Sequence, residues 1–98
     1  MNINILNKCY DSRKNQLEDL DKEIQQLEQE EKTYAFEEDM YYSLKKDRHH
    51  SEVFEKKMNE CIQKSNDITK KIKNMLQEKN VISLEMEYIE NIRNSIAL

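Results

Sequence analysis

Alternating steps of four and three residues along the first half of the chain pick out Leu6, Tyr10, Arg13, Leu17, Leu20, Ile24, Leu27, Glu31, Tyr34, Glu38 and Tyr41. That spacing is the heptad seam of a helix that packs against another helix, here interrupted by three charged positions. The same rule started independently at Phe54 gives Met58, Cys61, Ser65, Ile68, Ile72, Met75, Lys79, Ile82, Met86, Ile89, Arg93 and Ile96. Carried onward through Lys45, the first seam would land on Arg48, Glu52, Glu55 and Asn59, so the two seams are one residue out of phase. The slip falls in Lys45-Lys46-Asp47-Arg48-His49-His50-Ser51-Glu52, the longest continuously polar stretch. An all-α fold follows: one domain over residues 1–98, a long antiparallel two-helix hairpin with helix 1 at about 4–45, a turn at about 46–51 and helix 2 at about 52–96. Asp47 or Ser51 is the expected cap of the second helix, with Phe54 opening its apolar face.

Reversal near His49 and His50 makes residues whose numbers total about 99 face each other, placing Leu17 near Ile82, Ile24 near Met75, Leu27 near Ile72 and Tyr41 near Met58. Charge supports this register. From Glu18 to Asp39 there are ten acids and two lysines, and from Lys56 to Lys79 seven lysines and three acids. A hairpin lays these blocks side by side, whereas a parallel dimer of one long helix would set the acidic block against itself. An antiparallel dimer of unbroken helices pairs the same segments and remains an alternative.

Composition changes the picture in one respect. With 37% hydrophobic and 37% charged residues, the chain is far from the roughly 45–50% apolar content of a compact globule, so a thick core is not expected. Glycine and proline are both absent. Nothing therefore supplies the left-handed turns or rigid corners of sheets, and a glycine-rich phosphate loop is ruled out. The formal charge of −4 disfavours nucleic acid and anionic membranes as partners, although the Lys56 to Lys79 stretch could in principle hold a polyanion. No apolar run approaches the roughly 18 residues of a spanning helix, and Met1 to Tyr10 lacks the layout of a signal peptide. The expectation is a cytoplasmic protein without membrane insertion, open to export by a route that needs no cleavable signal.

Reactive chemistry has little to build on. His49-His50 lacks the i, i+4 partners and nearby cysteines of a metal site, so a solvated turn is expected. Consecutive positions in Glu37-Glu38-Asp39 point about 100° apart around a helix, which makes them a charged face rather than a catalytic pair. Cys9 and Cys61 lack CxxC spacing and are expected as free thiols, Cys61 in the seam opposite Glu38. No enzyme activity, cofactor or metal is expected.

What the seam leaves over is apolar surface. Phe36, Met40 and Leu44, at i, i+4 spacing, form a ridge on a different face from Tyr34 and Tyr41. Val81, Leu84, Tyr88 and Ile92 form a stripe beside the Ile82, Met86 and Ile89 seam. One helix cannot cover both faces of its neighbour, so these seven residues are the expected partner-binding surface. A helical adaptor or chaperone that binds another helical protein is the leading functional expectation. The alternative is a structural coiled-coil subunit that consumes the stripes in homo-oligomers, possible as a four-helix bundle.

A hairpin of this length with a polar central turn and no signal peptide resembles the WXG-type small proteins of type VII secretion and the helical targeting factors that accompany LXG toxins. The resemblance lies in architecture. The turn carries no Trp-x-Gly, and no Tyr-x-x-x-Asp/Glu signal follows helix 2; Tyr34-Ala-Phe-Glu-Glu38 has that spacing but lies in helix 1. Type III needle subunits and export chaperones are similar in size, the needle subunits differing by a proline-containing turn. What the resemblance implies is a targeting or export-competence factor for a secreted effector or toxin, with no functional residue carried over.

Overall fold

The computed structural model describes residues 2–46 and 49–97. It contains two helices, α1 (Ile3–Leu44) and α2 (Ser51–Ala97), running antiparallel as a hairpin. No residue among those described has positive φ, in keeping with a turn built without glycine.

Helix ends follow from local hydrogen bonding. Asn2 caps α1: its Oδ1 accepts the Asn4 N–H at 2.8 Å, while its carbonyl accepts from Ile5 and Leu6. Asparagine is among the best residues at this position because its side chain satisfies an N–H that the helix itself cannot. At the other end of α1, Lys45 N–H donates to the Tyr41 carbonyl at 2.8 Å and Lys46 N–H to the Ser43 carbonyl at 3.4 Å, a tightening of the last turn. The cap of α2 differs from the sequence expectation. His50 provides the first helical acceptor, its carbonyl taking the Phe54 N–H at 3.0 Å, so Ser51 is already the first residue inside the helix. The His50 ring also meets Phe54 edge-on, with centroids 6.3 Å apart, which helps to hold an imidazole where a hydroxyl was expected. Asp47, the other proposed cap, and Arg48 lie outside the described residues.

The chain divides into two compact units, a terminal unit (Met1–Ile24 with Asn74–Leu98) and a turn-side unit (Gln25–Lys73). In the terminal unit the seam buries Leu6, Leu20 and Ile24 of α1 with Ile82 and Ile89 of α2. Three polar cross-helix pairs fix its register: Asn7 with Arg93, Arg13 with Glu85, and Asp21 with Lys79. In the turn-side unit Cys61 and Ile68 are the buried positions among the described residues, and Tyr34 with Lys64, Glu37 with Cys61, Tyr41 with Lys57 and Tyr41 with Phe54 are cross-helix pairs. Apart from Tyr41–Phe54, these residue numbers total 98 or 100, the expected antiparallel register.

Every seam position named from the sequence is buried or half-buried except Ile96, which is 45% exposed. No described large side chain is fully enclosed, because two helices hide only one stripe each.

Candidate functional site

In the turn-side unit the expected ridge stands outside the seam. Phe36 is 69% exposed, and Met40 and Leu44 are exposed beside it along α1. A step of four residues advances a helix by about 40°, so the three rings and chains form a slowly winding line instead of joining the Tyr34–Tyr41 face. Tyr41 is half-buried and its ring stacks on Phe54 at 6.1 Å. Near the turn the helices thus meet through an aromatic pair, and the Phe36 ridge stays exposed.

Opposed charge blocks were expected to meet as ion pairs along the seam. Among the described residues, Lys79 pairs with Asp21, but Lys64 and Lys57 instead lie over the Tyr34 and Tyr41 rings, at 5.4 and 5.7 Å. A lysine stem that lies along an aromatic face covers apolar surface while its ammonium stays hydrated, which a surface carboxylate pair does not offer. The acidic residues of α1 largely remain a solvated face.

Cys61 is a free, buried thiol whose Sγ donates to Glu37 Oε2 at 3.7 Å. Glu37, one position before the expected Glu38, is its partner. Burial foremost, and then the Glu37 carboxylate, pushes the thiol above its ordinary value of 9.0, which disfavours the reactive thiolate. Among the described residues no group of three or more His, Cys, Asp or Glu is placed to hold a metal ion. His49 and His50 are exposed at the turn.

The terminal unit presents a concavity. An open groove of about 570 Å³ runs between the helices, lined on α1 by Ile5, Leu6, Cys9 and Arg13 and on α2 by Leu84, Glu85, Tyr88, Ile89 and Ile92. Its two charged residues neutralise each other: Arg13 donates to Glu85 Oε2 through Nε and Nη2, at 3.3 and 3.1 Å, and through Nη1 to the Cys9 carbonyl. On the α2 side Leu84 and Tyr88 project 66% and 68% exposed, with Val81 exposed one turn earlier. Ile92 differs from its stripe neighbours in being half-buried, since it turns into the groove wall.

No family model, characterised protein or solved structure matches this chain.

Sequence reasoning placed the α2 side of this groove but not the α1 side. Ile5 and Cys9, an i, i+4 pair flanking seam residues Leu6 and Tyr10, complete it. Two short apolar residues on a mostly polar helix carry little signal alone. They form a wall only when the antiparallel register brings Leu84 and Tyr88 opposite. Among the described residues, no helix is long and apolar enough to cross a membrane.

Proposed function

We propose that this chain is a non-catalytic helical adaptor or chaperone that captures another helical protein, acting as a targeting or export-competence factor for a secreted effector. The observation that carries the reading is the Phe36–Met40–Leu44 ridge: three large apolar side chains in line, exposed on a hairpin whose seam is already filled. Exposed apolar lines at i, i+4 spacing are what a partner helix reads, because its own side chains interdigitate with such a row. Adaptable Met40 at the centre suits a surface that accommodates a partner's packing. The export role follows from the resemblance to small secretion-associated hairpins and stands or falls separately from the capture surface.

The test is co-purification from the source organism with wild type and with a Phe36→Asp/Leu44→Asp variant, followed by reconstitution of the pair from purified components. One helical protein should be retained by wild type and lost from the variant, whose far-ultraviolet circular dichroism stays unchanged. Deleting the chain should then leave that protein in the cell. Equal recovery on both baits overturns the ridge as the capture surface, and normal secretion of the partner overturns the export role.

A further inference from the structure

We infer that the groove face of the terminal unit is covered by a second copy of this chain in a two-fold symmetric dimer. A symmetric interface sets each residue near the axis against its own counterpart, so net charge there would meet like charge. The groove has none: Arg13 and Glu85 are its charged residues, and each is already paired with the other. Charge on a contact surface gives a different partner on-rate and discrimination, and this groove carries only the one mutually paired couple, 30% and 43% exposed.

Shape agrees. The same face carries a projecting row, Leu84 and Tyr88, and a recess, the channel bounded by Ile5, Cys9 and Ile92, so it contains both halves of a knob-and-hole contact. Val81, Leu84, Tyr88, Ile92 and Ile96 continue along α2 in steps of three, four, four and four residues. That covers about four turns of helix. Taking roughly 100 Å² for an aliphatic side chain and 150–250 Å² for tyrosine, and scaling by the observed exposures, the face offers roughly 400 Å² of apolar surface per copy. Two copies contribute roughly 800 Å² from these side chains alone. That lies just under the ~1,000 Å² floor for a specific interface, which makes the dimer a weak one that fills only as concentration rises. Beyond Val81 the row gives way to Gln77 and Asn74, which limits the contact to the terminal unit.

This inference does not depend on the adaptor reading, which concerns the Phe36 ridge of the other unit. It is tested with the full chain by sedimentation equilibrium from low micromolar to several hundred micromolar concentration. Wild type should reach the mass of two chains. Leu84→Asp/Tyr88→Asp should raise the dissociation constant by about a hundredfold or more, with helicity retained. Phe36→Asp/Leu44→Asp should dimerise as wild type does. Independently of any variant, alkylation of Cys9 in the native chain should slow as concentration rises, since the second copy would cover the groove wall in which it sits.

A wild-type chain that stays at one-chain mass overturns the inference, as does dimerisation unaffected by the Leu84/Tyr88 variant or abolished by the Phe36/Leu44 variant. Cys9 alkylation independent of concentration across the dimerisation range likewise overturns it. If the chain is monomeric and Cys9 is protected only by a captured protein, the face belongs to that protein instead.

Discussion

Ile68 and Phe36 lie in the same unit and offer a quantitative contrast between seam and ridge. Ile68 is 5% exposed and Phe36 is 69% exposed. Truncating Ile68 to alanine removes roughly three methylene equivalents, ~2.4 kcal/mol at ~0.8 kcal/mol each. A cavity contribution adds to this, but a seam between only two helices relaxes readily, so the total should fall near the lower end of the usual core range, about 2–3 kcal/mol. Phe36→Ala is the larger truncation chemically. It removes surface that already faces water and installs a better helix former, a gain of about 0.5 kcal/mol, so its net effect should lie within about 0.5 kcal/mol of zero. Thermal unfolding followed at 222 nm should therefore place Ile68→Ala roughly 10–20 °C below wild type and Phe36→Ala within a few degrees of it. Both proteins must be compared at one concentration, because self-association would stabilise the folded state. Equal losses for the two variants would refute the assignment, since they would mean that Phe36 is covered in solution as thoroughly as Ile68. A loss below about 1 kcal/mol for Ile68→Ala would mean that the seam does not carry the fold.

Further expectations follow from single contacts. Because the folded-state value of the Cys61 thiol is raised, the native chain holds that proton longer than the unfolded one as pH climbs past 9.0, so stability should fall above that pH and be flat below it. Denaturant melts of wild type against Cys61→Ala, taken between about pH 8 and 10, should converge as pH rises. Arg13→Ala removes a half-exposed ion pair with Glu85 and should cost no more than about 1 kcal/mol at low salt, with part of the difference vanishing in high salt. Asn2→Ala deletes the α1 cap and should cost about 0.5–2 kcal/mol, read as faster hydrogen exchange of the Asn4 amide and its neighbours before any change at the turn.

How much was legible in the sequence can be judged from particular residues. The two seams and their one-residue slip were, because heptad spacing is a local signal and each helix carries its own copy. Cross-helix register was legible through charge and reversal, and Arg13 with Glu85 and Asp21 with Lys79 fall where it put them. The cap at His50 was not, since imidazole is a poor capping group and its place depends on Phe54 packing against it. Nor was the fate of Lys57 and Lys64. Charge counting predicts carboxylate partners, while the choice of a tyrosine face depends on side-chain direction across the seam, which spacing alone does not contain. The α1 wall of the groove was hidden for the same reason: Ile5 and Cys9 acquire meaning only from what stands opposite them.

Polar residues within the seam explain why the hairpin keeps one register although heptads mesh in many. A slide of one heptad would leave Leu, Ile and Met facing other apolar residues at almost no cost, so hydrophobic contact alone discriminates poorly. Lys79 and Arg93 do discriminate. Lys79 is half-buried and paired with Asp21, and Arg93 lies 4.2 Å from the Tyr10 ring centre while donating to Asn7 at 3.0 Å. Moved by seven residues one way, Lys79 would face Ser12–Lys14; moved the other way it would meet Glu28, and against that slide it is Arg93 that discriminates, by losing both its ring and its acceptor. Because each group keeps contact with water, the native pairs add little to stability, but a shifted register would bury them against the wrong neighbours. These residues thus act against alternatives more than for the native state. Lys79→Leu and Arg93→Leu should therefore raise the melting temperature of the hairpin while broadening its transition and its amide resonances, as competing registers become populated.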